Sequence, residues 1–277
     1  MSIIIVNYNT TQLVIDCVNS IYDNTKNINF EIIVVDNNSP DRSIENIKSI
    51  FPEIKLILSE KNAGFGAGNN LGNKHAIGKY LFLLNSDTLL LDNAVYEFFK
   101  FMQKTPNAGV CGGNLLTKEL NPNFSFARFK PNFWLSISEL FFNIYPRIRY
   151  KNELFYSLEK NIVKINGFIC GADYFVTKSI FDKVNGFDED FFMYFEEVEL
   201  SYRIENLGYK FYILPHVKII HFDGGSQNIN SKNKKKWIID SKKMYYKKTN
   251  NKFYTITNFI DSITTFRIKL KEKILNN

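Results

Sequence analysis

Apolar runs of strand length, most of them closed by a polar residue, recur through residues 1–90 with helix-spaced segments between them. Ile3 to Val6 closes on Asn7-Tyr8-Asn9, Phe30 to Val35 on Asp36, and Tyr80 to Leu84 on Asn85-Ser86-Asp87; Ile54 to Leu58 supplies a fourth run. Runs without polar alternation suit strands covered on both faces. Between the first two, Leu13, Val14, Cys17, Val18 and Ile21 fall three and four apart behind Thr10 or Thr11, the pattern of a capped helix. A short helix over Ile44 to Ile50 and another near Asn69 to Ile77 continue the series. Strands alternating with helices predict an α/β fold, a mostly parallel central sheet with helices on both faces. Parallel strands carry their carboxyl ends on one edge, so the three polar closures gather there, where open α/β sheets bind ligands.

Length and charge narrow the function classes. With 277 residues and 45% hydrophobic content the chain can bury a large core. Met1-Ser2 runs straight into Ile3-Ile4-Ile5-Val6 with no basic leader, and no apolar stretch is long enough to cross a bilayer. Cys17, Cys111 and Cys170 are odd in number, far apart and in apolar contexts, which fits thiols in a reducing compartment; the expected location is the cytoplasm. The net charge of +7 belongs to the tail, because residues 231–277 hold 13 Lys and Arg against 3 acids while the remainder holds 22 against 25. There Lys234-Lys235-Lys236, Lys242-Lys243 and Lys247-Lys248 mix with Trp237, Tyr245, Tyr246, Phe253, Tyr254, Phe259 and Phe266. Such a mixture suits peripheral contact with the inner face of an anionic cell membrane. A terminal helix packing an apolar stripe on the main domain accounts for it equally well. Nucleic acid is not expected, since no binding motif accompanies the charge.

Two acidic centres carry the chemistry. Asp36 can accept hydrogen bonds from a ribose or base, and Asp87 can hold a hard divalent cation through oxygen. Either residue alone is equally at home in a turn or a helix cap. The stretch Asn62-Ala63-Gly64-Phe65-Gly66-Ala67-Gly68 precedes a helix and can let backbone amides approach a phosphate, but it matches neither G-x-G-x-x-G nor the P-loop. Downstream, Phe191-Phe192-Met193-Tyr194-Phe195 forms an aromatic wall before Glu196, Glu197 and Glu199, which open a helical pattern running to Leu207. The helix dipole tolerates negative charge at its start, while mutual repulsion and apolar surface raise the proton affinity of at least one carboxylate, as a general base requires. Glu199 stands four residues before Arg203 and has an ion pair to make; Glu196 can serve the helix start; Glu197 has no such structural partner.

In order along the chain, Val6-Asn7-Tyr8-Asn9, Val34-Val35-Asp36-Asn37, Asn62-Ala63-Gly64-Phe65-Gly66, Leu84-Asn85-Ser86-Asp87, Gly171-Ala172, Gly186-Phe187-Asp188-Glu189 and Phe192 to Leu200 resemble glycosyltransferase family 2 over residues 1–226. Within that family the chain is similar to the rhamnosyltransferase-like branch. The resemblance implies a GT-A fold, the nucleotide-diphospho-sugar transferase fold. It also implies inverting transfer of a sugar, L-rhamnose from dTDP-rhamnose or a sugar from a UDP donor, to a hydroxyl of a glycan or lipid-linked glycan in bacterial cell-surface polysaccharide synthesis. Carried onto this chain, it implies that Asn7, Tyr8, Asn9, Asp36, Asn62, Gly64, Asn85 and Ser86 meet the nucleotide, and that Asp87 and His221 hold Mn²⁺ or Mg²⁺. Glu197, with Glu196 in reserve, matches the catalytic base, and Gly171, Ala172 and Asp173 lie where the acceptor binds. Two positions depart from the family pattern: Asn85 opens the metal triplet where Asp is usual, and Glu stands at 197 where Asp is usual, one methylene longer.

On this reading residues 1–117 form the nucleotide-sugar half, 118–230 the acceptor and base half, and 231–277 a basic helical tail. The segment 118–165, with Phe124, Phe126, Phe129, Phe133 and Trp134, breaks the alternation and can shape an acceptor pocket or lid. His221, in His221-Phe222-Asp223-Gly224-Gly225-Ser226, is also readable as a strand-edge histidine, and His75 and His216 as structural ones. Two other classes compete. A sugar nucleotidyltransferase needs an Arg- and Lys-bearing Gly-rich loop directly after the first strand, which Asn7-Tyr8-Asn9-Thr10 is not. A non-catalytic nucleotide- or glycan-binding module has no use for the glutamate cluster.

Overall fold

The computed structural model describes residues 1–140, 148, 150, 153–222, 231–249, 254–256, 259–260 and 262–263. The first half alternates as the sequence pattern requires: β1 (Ser2–Asn7), α1 (Thr11–Asn24), β2 (Glu31–Asp36), α2 (Ile47–Ile50), β3 (Lys55–Leu58), α3 (Phe65–Lys74), β4 (Tyr80–Asn85), β5 (Thr88–Leu90), α4 (Ala94–Lys104) and β6 (Ala108–Leu116). The irregular segment holds β7 (Phe126–Ala127), α5 (Phe133–Leu140), β8 (Val163–Ile165) and β9 (Phe168–Ile169). Then come β10 (Asp173–Thr177), α6 (Lys178–Lys183), α7 (Glu196–Asn206), β11 (Lys210–His221) and α8 (Ser231–Lys248).

The main sheet runs β3-β2-β1-β4-β10-β6-β11-β5, with β8 added on β11. Strands β3, β2, β1 and β4 are mutually parallel, as are β6 and β11. Three strands run against them. β10 is antiparallel to β4 and β6 because the chain returns from its excursion at the carboxyl edge, placing Asp173 opposite Leu84. β5 follows β4 after two residues, too few for the crossover that a parallel neighbour needs, and it pairs antiparallel with β11 together with β8.

Side-chain period divides the core in two. Ile3 and Ile5 point to the layer of α1, α2 and α4, whereas Ile4 points to the layer of α3, α6 and α7. Helices therefore cover both faces. Element ends differ from expectation where local contacts intervene. Thr10 is the residue before α1, but its hydroxyl donates to Asn7 Oδ1 at 2.9 Å instead of accepting from the helix. α3 starts at Phe65, before the expected Asn69, and its glycines pack on the sheet: a Cβ at Gly68 or Gly72 would meet Val6 or Ile4 side-chain carbons at 2.8 and 2.5 Å. Among the described residues no helix is long and apolar enough to cross a membrane.

Candidate active site

The parallel register brings the polar strand ends together. Asn7 pairs with Asp36, and Val6, one residue earlier, pairs with Asn85. Asp36 is 5% exposed and works hard locally: its Oδ1 accepts from Asn7 Nδ2 at 2.7 Å and Ser39 Oγ at 2.6 Å, and its Oδ2 accepts from Ser39 N at 2.9 Å. An ionised carboxylate offers about four acceptor positions, so roughly one remains for an incoming donor. Ser39 Oγ also accepts from Asn9 N at 2.9 Å, which fixes the loop after β1, where Tyr8 is exposed. Asn37 ties the neighbouring turn by donating to Asn62 Oδ1 at 2.9 Å and to the Gly64 carbonyl at 3.0 Å. Thr10 and Ser86 hydroxyls, 3.1 Å apart, join that loop to the Asn85-Ser86-Asp87 triplet.

At the triplet, His221 Nε2 lies 3.3 Å from Asp87 Oδ1 and 3.4 Å from Asn85 Nδ2. Nε2 serves one partner at a time: protonated, it donates to Asp87; bare, it accepts from Asn85 or, released from that contact, offers its lone pair beside the carboxylate oxygen. That second state is a donor pair suited to a divalent cation. Among the described residues no group of three or more His, Cys, Asp or Glu is placed to hold a metal ion, so phosphate oxygens and water would have to complete the shell. The strand end of β11 is held in place by Phe222 N donating to the Asp87 carbonyl at 3.0 Å and Asn123 Nδ2 donating to the His221 carbonyl at 3.2 Å. Gly224, Gly225 and Ser226 lie outside the described residues.

The glutamates stand against the same edge. Asn85 N donates to the Ala172 carbonyl at 3.0 Å, and a Cβ at the preceding Gly171 would lie 3.3 Å from Phe65 Cε1 and 3.8 Å from Glu197 Cβ. Gly171-Ala172 thus bonds to the triplet and passes beside the glutamate helix. A second bridge runs through Gly64, whose φ of +92° and lack of a side chain let the Phe192 carbonyl pass where a Cβ would be 2.1 Å away; Phe65 N then donates to that carbonyl at 3.2 Å. Burial pushes the half-buried Glu197 carboxyl up to about 7. Glu196 is more deeply buried, its Oε2 has no hydrogen-bond partner among the described residues, and burial with the adjacent Glu197 charge holds its proton affinity well above the ordinary carboxylate range. Glu199 is spent on Arg203, which donates from Nε at 2.7 Å. Asp173 stands apart from these: it is wholly buried in β10, with Oδ2 accepting from Gly113 N at 2.6 Å, and Ala172 beside it is buried in the core, so of the three residues expected at the acceptor only Gly171 is partly exposed.

With this geometry in hand, the model of Glycosyl transferase family 2 matches residues 2–184. The chain belongs to that family. Among curated relatives of this family 2 chain, an uncharacterized glycosyltransferase of Rickettsia felis is 38% identical over 106 residues, covering 38% of the chain and 17% of the relative. The N-acetylglucosaminyl-diphospho-decaprenol L-rhamnosyltransferase of Mycobacterium tuberculosis is 23% identical over 206 residues, covering 69% of the chain and 66% of the relative. The matched stretch therefore spans about a sixth of the first relative and about two thirds of the second. Among solved structures, GalNAc-T7 crystallised with UDP, GalNAc and Mn²⁺ aligns with a TM-score of 0.62 at 17% identity, over 88% of this chain and 49% of that one. The fold is GT-A, as the family resemblance implies.

Sequence reasoning on this family 2 chain missed several residues that build the site. Ser39, three positions after Asp36, shows the Asp-x-x-Ser spacing of a side-chain turn and was legible in principle. Thr10, Asn37 and Asn123 carry no comparable local signal. The tail helix takes the packing alternative: Tyr245 and Tyr246 are buried against Phe191, Val198 and Ala127, and Tyr246 OH lies 3.0 Å from Ser136 Oγ. Lys234, Lys235, Lys236, Lys243 and Lys247 remain exposed.

Proposed function

We propose that this chain is an inverting glycosyltransferase that moves one sugar from a nucleoside diphosphate donor to a hydroxyl of a glycan or lipid-linked glycan acceptor, in cell-surface polysaccharide synthesis at the inner face of the membrane. One observation carries the reading: Gly171-Ala172 bonds to the Asn85-Ser86-Asp87 triplet through the Ala172 carbonyl and passes beside Glu197, whose Cβ lies 3.8 Å from where a Gly171 side chain would begin. Both acidic centres then open on one cleft. The nucleoside sits at Asp36 with Asn7, Tyr8, Asn9, Asn62 and Gly64, and its diphosphate at Asn85 and Ser86. Asp87 and His221 would hold Mn²⁺ or Mg²⁺, which would supply positive charge against the leaving diphosphate. The acceptor hydroxyl oxygen attacks the anomeric carbon while the bond to the diphosphate oxygen breaks, and the hydroxyl proton passes to Glu197. A carboxyl titrating at about 7 holds that proton well enough to take it and releases it at working pH. Gly171 meets the acceptor side, with Ala172 and Asp173 buried behind it.

Dimensional support for the donor is coarser. The Mycobacterium relative's name speaks of L-rhamnose transfer to a diphosphate-linked lipid, which favours dTDP-L-rhamnose here over UDP-sugars. The test is a thermal-shift panel of dTDP and UDP with and without Mn²⁺, followed by release of nucleoside diphosphate from dTDP-L-rhamnose and UDP-hexoses. On this reading one nucleotide raises the melting temperature in a cation-dependent way, and Glu197→Gln binds it as well as the wild type yet releases none. Equal turnover by Glu197→Gln would overturn it.

A further inference from the structure

Four consecutive residues launch the glutamate helix, and each is met by a different side chain of α8. Phe192 packs its ring 5.2 Å from that of Trp237, and the Met193 carbonyl accepts from Ser241 Oγ at 3.0 Å. Lys234 Nζ stands 5.9 Å over the Tyr194 ring, and Phe195 lies 5.9 Å from Tyr245. The four α8 positions are three, four and four residues apart, so they form one helix face. The segment they cover needs holding. Tyr194 and Phe195 both sit in the left-handed region, at φ of 67° and 68°, which bulky side chains adopt only when their surroundings over-determine them. Lys248 adds a terminal tie, donating to Asp188 and Asp190 just upstream of the same segment. Neither α7 nor α8 lies within the span that the family model matches.

We propose that α8 is a positioning element of the active site: Lys234, Trp237, Ser241 and Tyr245 clamp Phe192–Phe195 in its left-handed turn and thereby fix where Glu197 stands against Gly171. The inference rests on Glu197 as the base. The tail then belongs to the catalytic unit and is no mere appendage for solubility or attachment. Because a general base acts at hydrogen-bond range, releasing the turn displaces Glu197 and admits water to it, whereas Asp36 is held through Asn7 and Ser39, away from the turn, with Gly64 connecting the two. The charged and titratable groups around Glu197 are Glu196 and the Glu199–Arg203 pair on its own helix and Tyr174 on β10; on the far side of the turn stand Lys234, Tyr245 and the Lys248–Asp188–Asp190 cluster.

The experiment compares wild type with Trp237→Ala, Ser241→Ala, Trp237→Phe, Lys243→Ala on the exposed face of α8, and Glu197→Gln. The first readout needs no substrate: carbodiimide and glycine ethyl ester label protonated carboxyls, and peptide mass spectrometry follows Glu197 between pH 5 and 8. The second is nucleoside diphosphate release from dTDP-L-rhamnose and UDP-glucose, with water as acceptor. Expected for Trp237→Ala and Ser241→Ala are a Glu197 labelling midpoint lowered by about one pH unit and a kcat lower by about 10- to 100-fold, a larger factor than any rise in donor KM. Trp237→Phe recovers most of both and Lys243→Ala matches the wild type. A labelling midpoint unmoved in Trp237→Ala and Ser241→Ala overturns the proposal, and where neither donor is turned over that midpoint alone decides. Full turnover by Glu197→Gln overturns the base assignment instead, whatever the tail variants do.

Discussion

If Glu197 is the base, turnover must follow its ionisation. With the carboxyl pushed up to about 7, roughly 9% is ionised at pH 6 and 91% at pH 8, so kcat should rise about tenfold across that interval. An ordinary glutamate near 4.5 would already be about 97% ionised at pH 6 and would give a flat profile. The same burial acts on stability with the opposite benefit. Below pH 4.5 the carboxyl is protonated in folded and unfolded chains alike and contributes nothing. Between 4.5 and 7 the unfolded chain loses its proton first, so folding stability falls as the pH rises, and above 7 the full penalty applies. Its upper bound is about 3 kcal/mol, less after screening because the side chain is only half-buried. Glu197→Gln removes the charge and keeps the shape. It should therefore melt several degrees higher than the wild type at pH 8, equally at pH 4, and release no nucleoside diphosphate. Differential scanning fluorimetry at both pH values and a pH–rate profile test the pair of effects. A flat kcat from pH 6 to 8, or a Glu197→Gln protein that is no more stable at pH 8, would refute the argument from burial.

Three further perturbations separate the parts of the site. Gly64→Ala puts a Cβ 2.1 Å from the Phe192 carbonyl at a φ of +92°, so urea unfolding should register a loss of about 3 kcal/mol or more, with activity lost alongside. Asp87→Asn should abolish the Mn²⁺-dependent part of nucleotide-induced thermal stabilisation while leaving the nucleotide-only part, measured in the same plate. Ser39→Ala leaves Asn9 N and Asp36 without their shared partner, which should cost about 1–2 kcal/mol in chemical denaturation and weaken nucleotide binding in calorimetry.

What could be read from the sequence follows from the range of the interaction behind each feature. The meeting of Asn7, Asp36 and Asn85 at one edge was legible because strand period and parallel connection are local signals repeated four times. The reversal of β10 was not, since its direction depends on which edge the 118–172 excursion returns to. The glycines of the Gly64–Gly72 stretch carried an ambiguity that a single sequence cannot resolve. A missing side chain permits close approach equally well to a phosphate, to a strand or to a carbonyl, and here Gly68 and Gly72 serve the strand and Gly64 the carbonyl. The tail was half legible. Its aromatics show helical spacing, but their partners lie some forty residues upstream, and the lysines between them mask the apolar face.

The two adjacent glutamates that open α7 fit one another physically. Two adjacent carboxylates cannot both hold charge cheaply in an apolar pocket, and the more buried Glu196 is the one with an unpartnered oxygen and the stronger push toward its neutral form. Its neutrality leaves a single charge for Glu197 to carry. That side chain is one methylene longer than the usual aspartate, and the residue facing it is Gly171, where even a methyl would come within 3.8 Å of Glu197 Cβ and 3.3 Å of the Phe65 ring. Phe65, whose ring stands beside Gly171, is anchored through its own amide to the Phe192 carbonyl and so is tied to the segment that precedes α7. A base raised by dryness needs walls that stay shut. On the proposed reading those walls are the Gly64 turn and the aromatic segment under α8, the two elements that also tie down the start of α7.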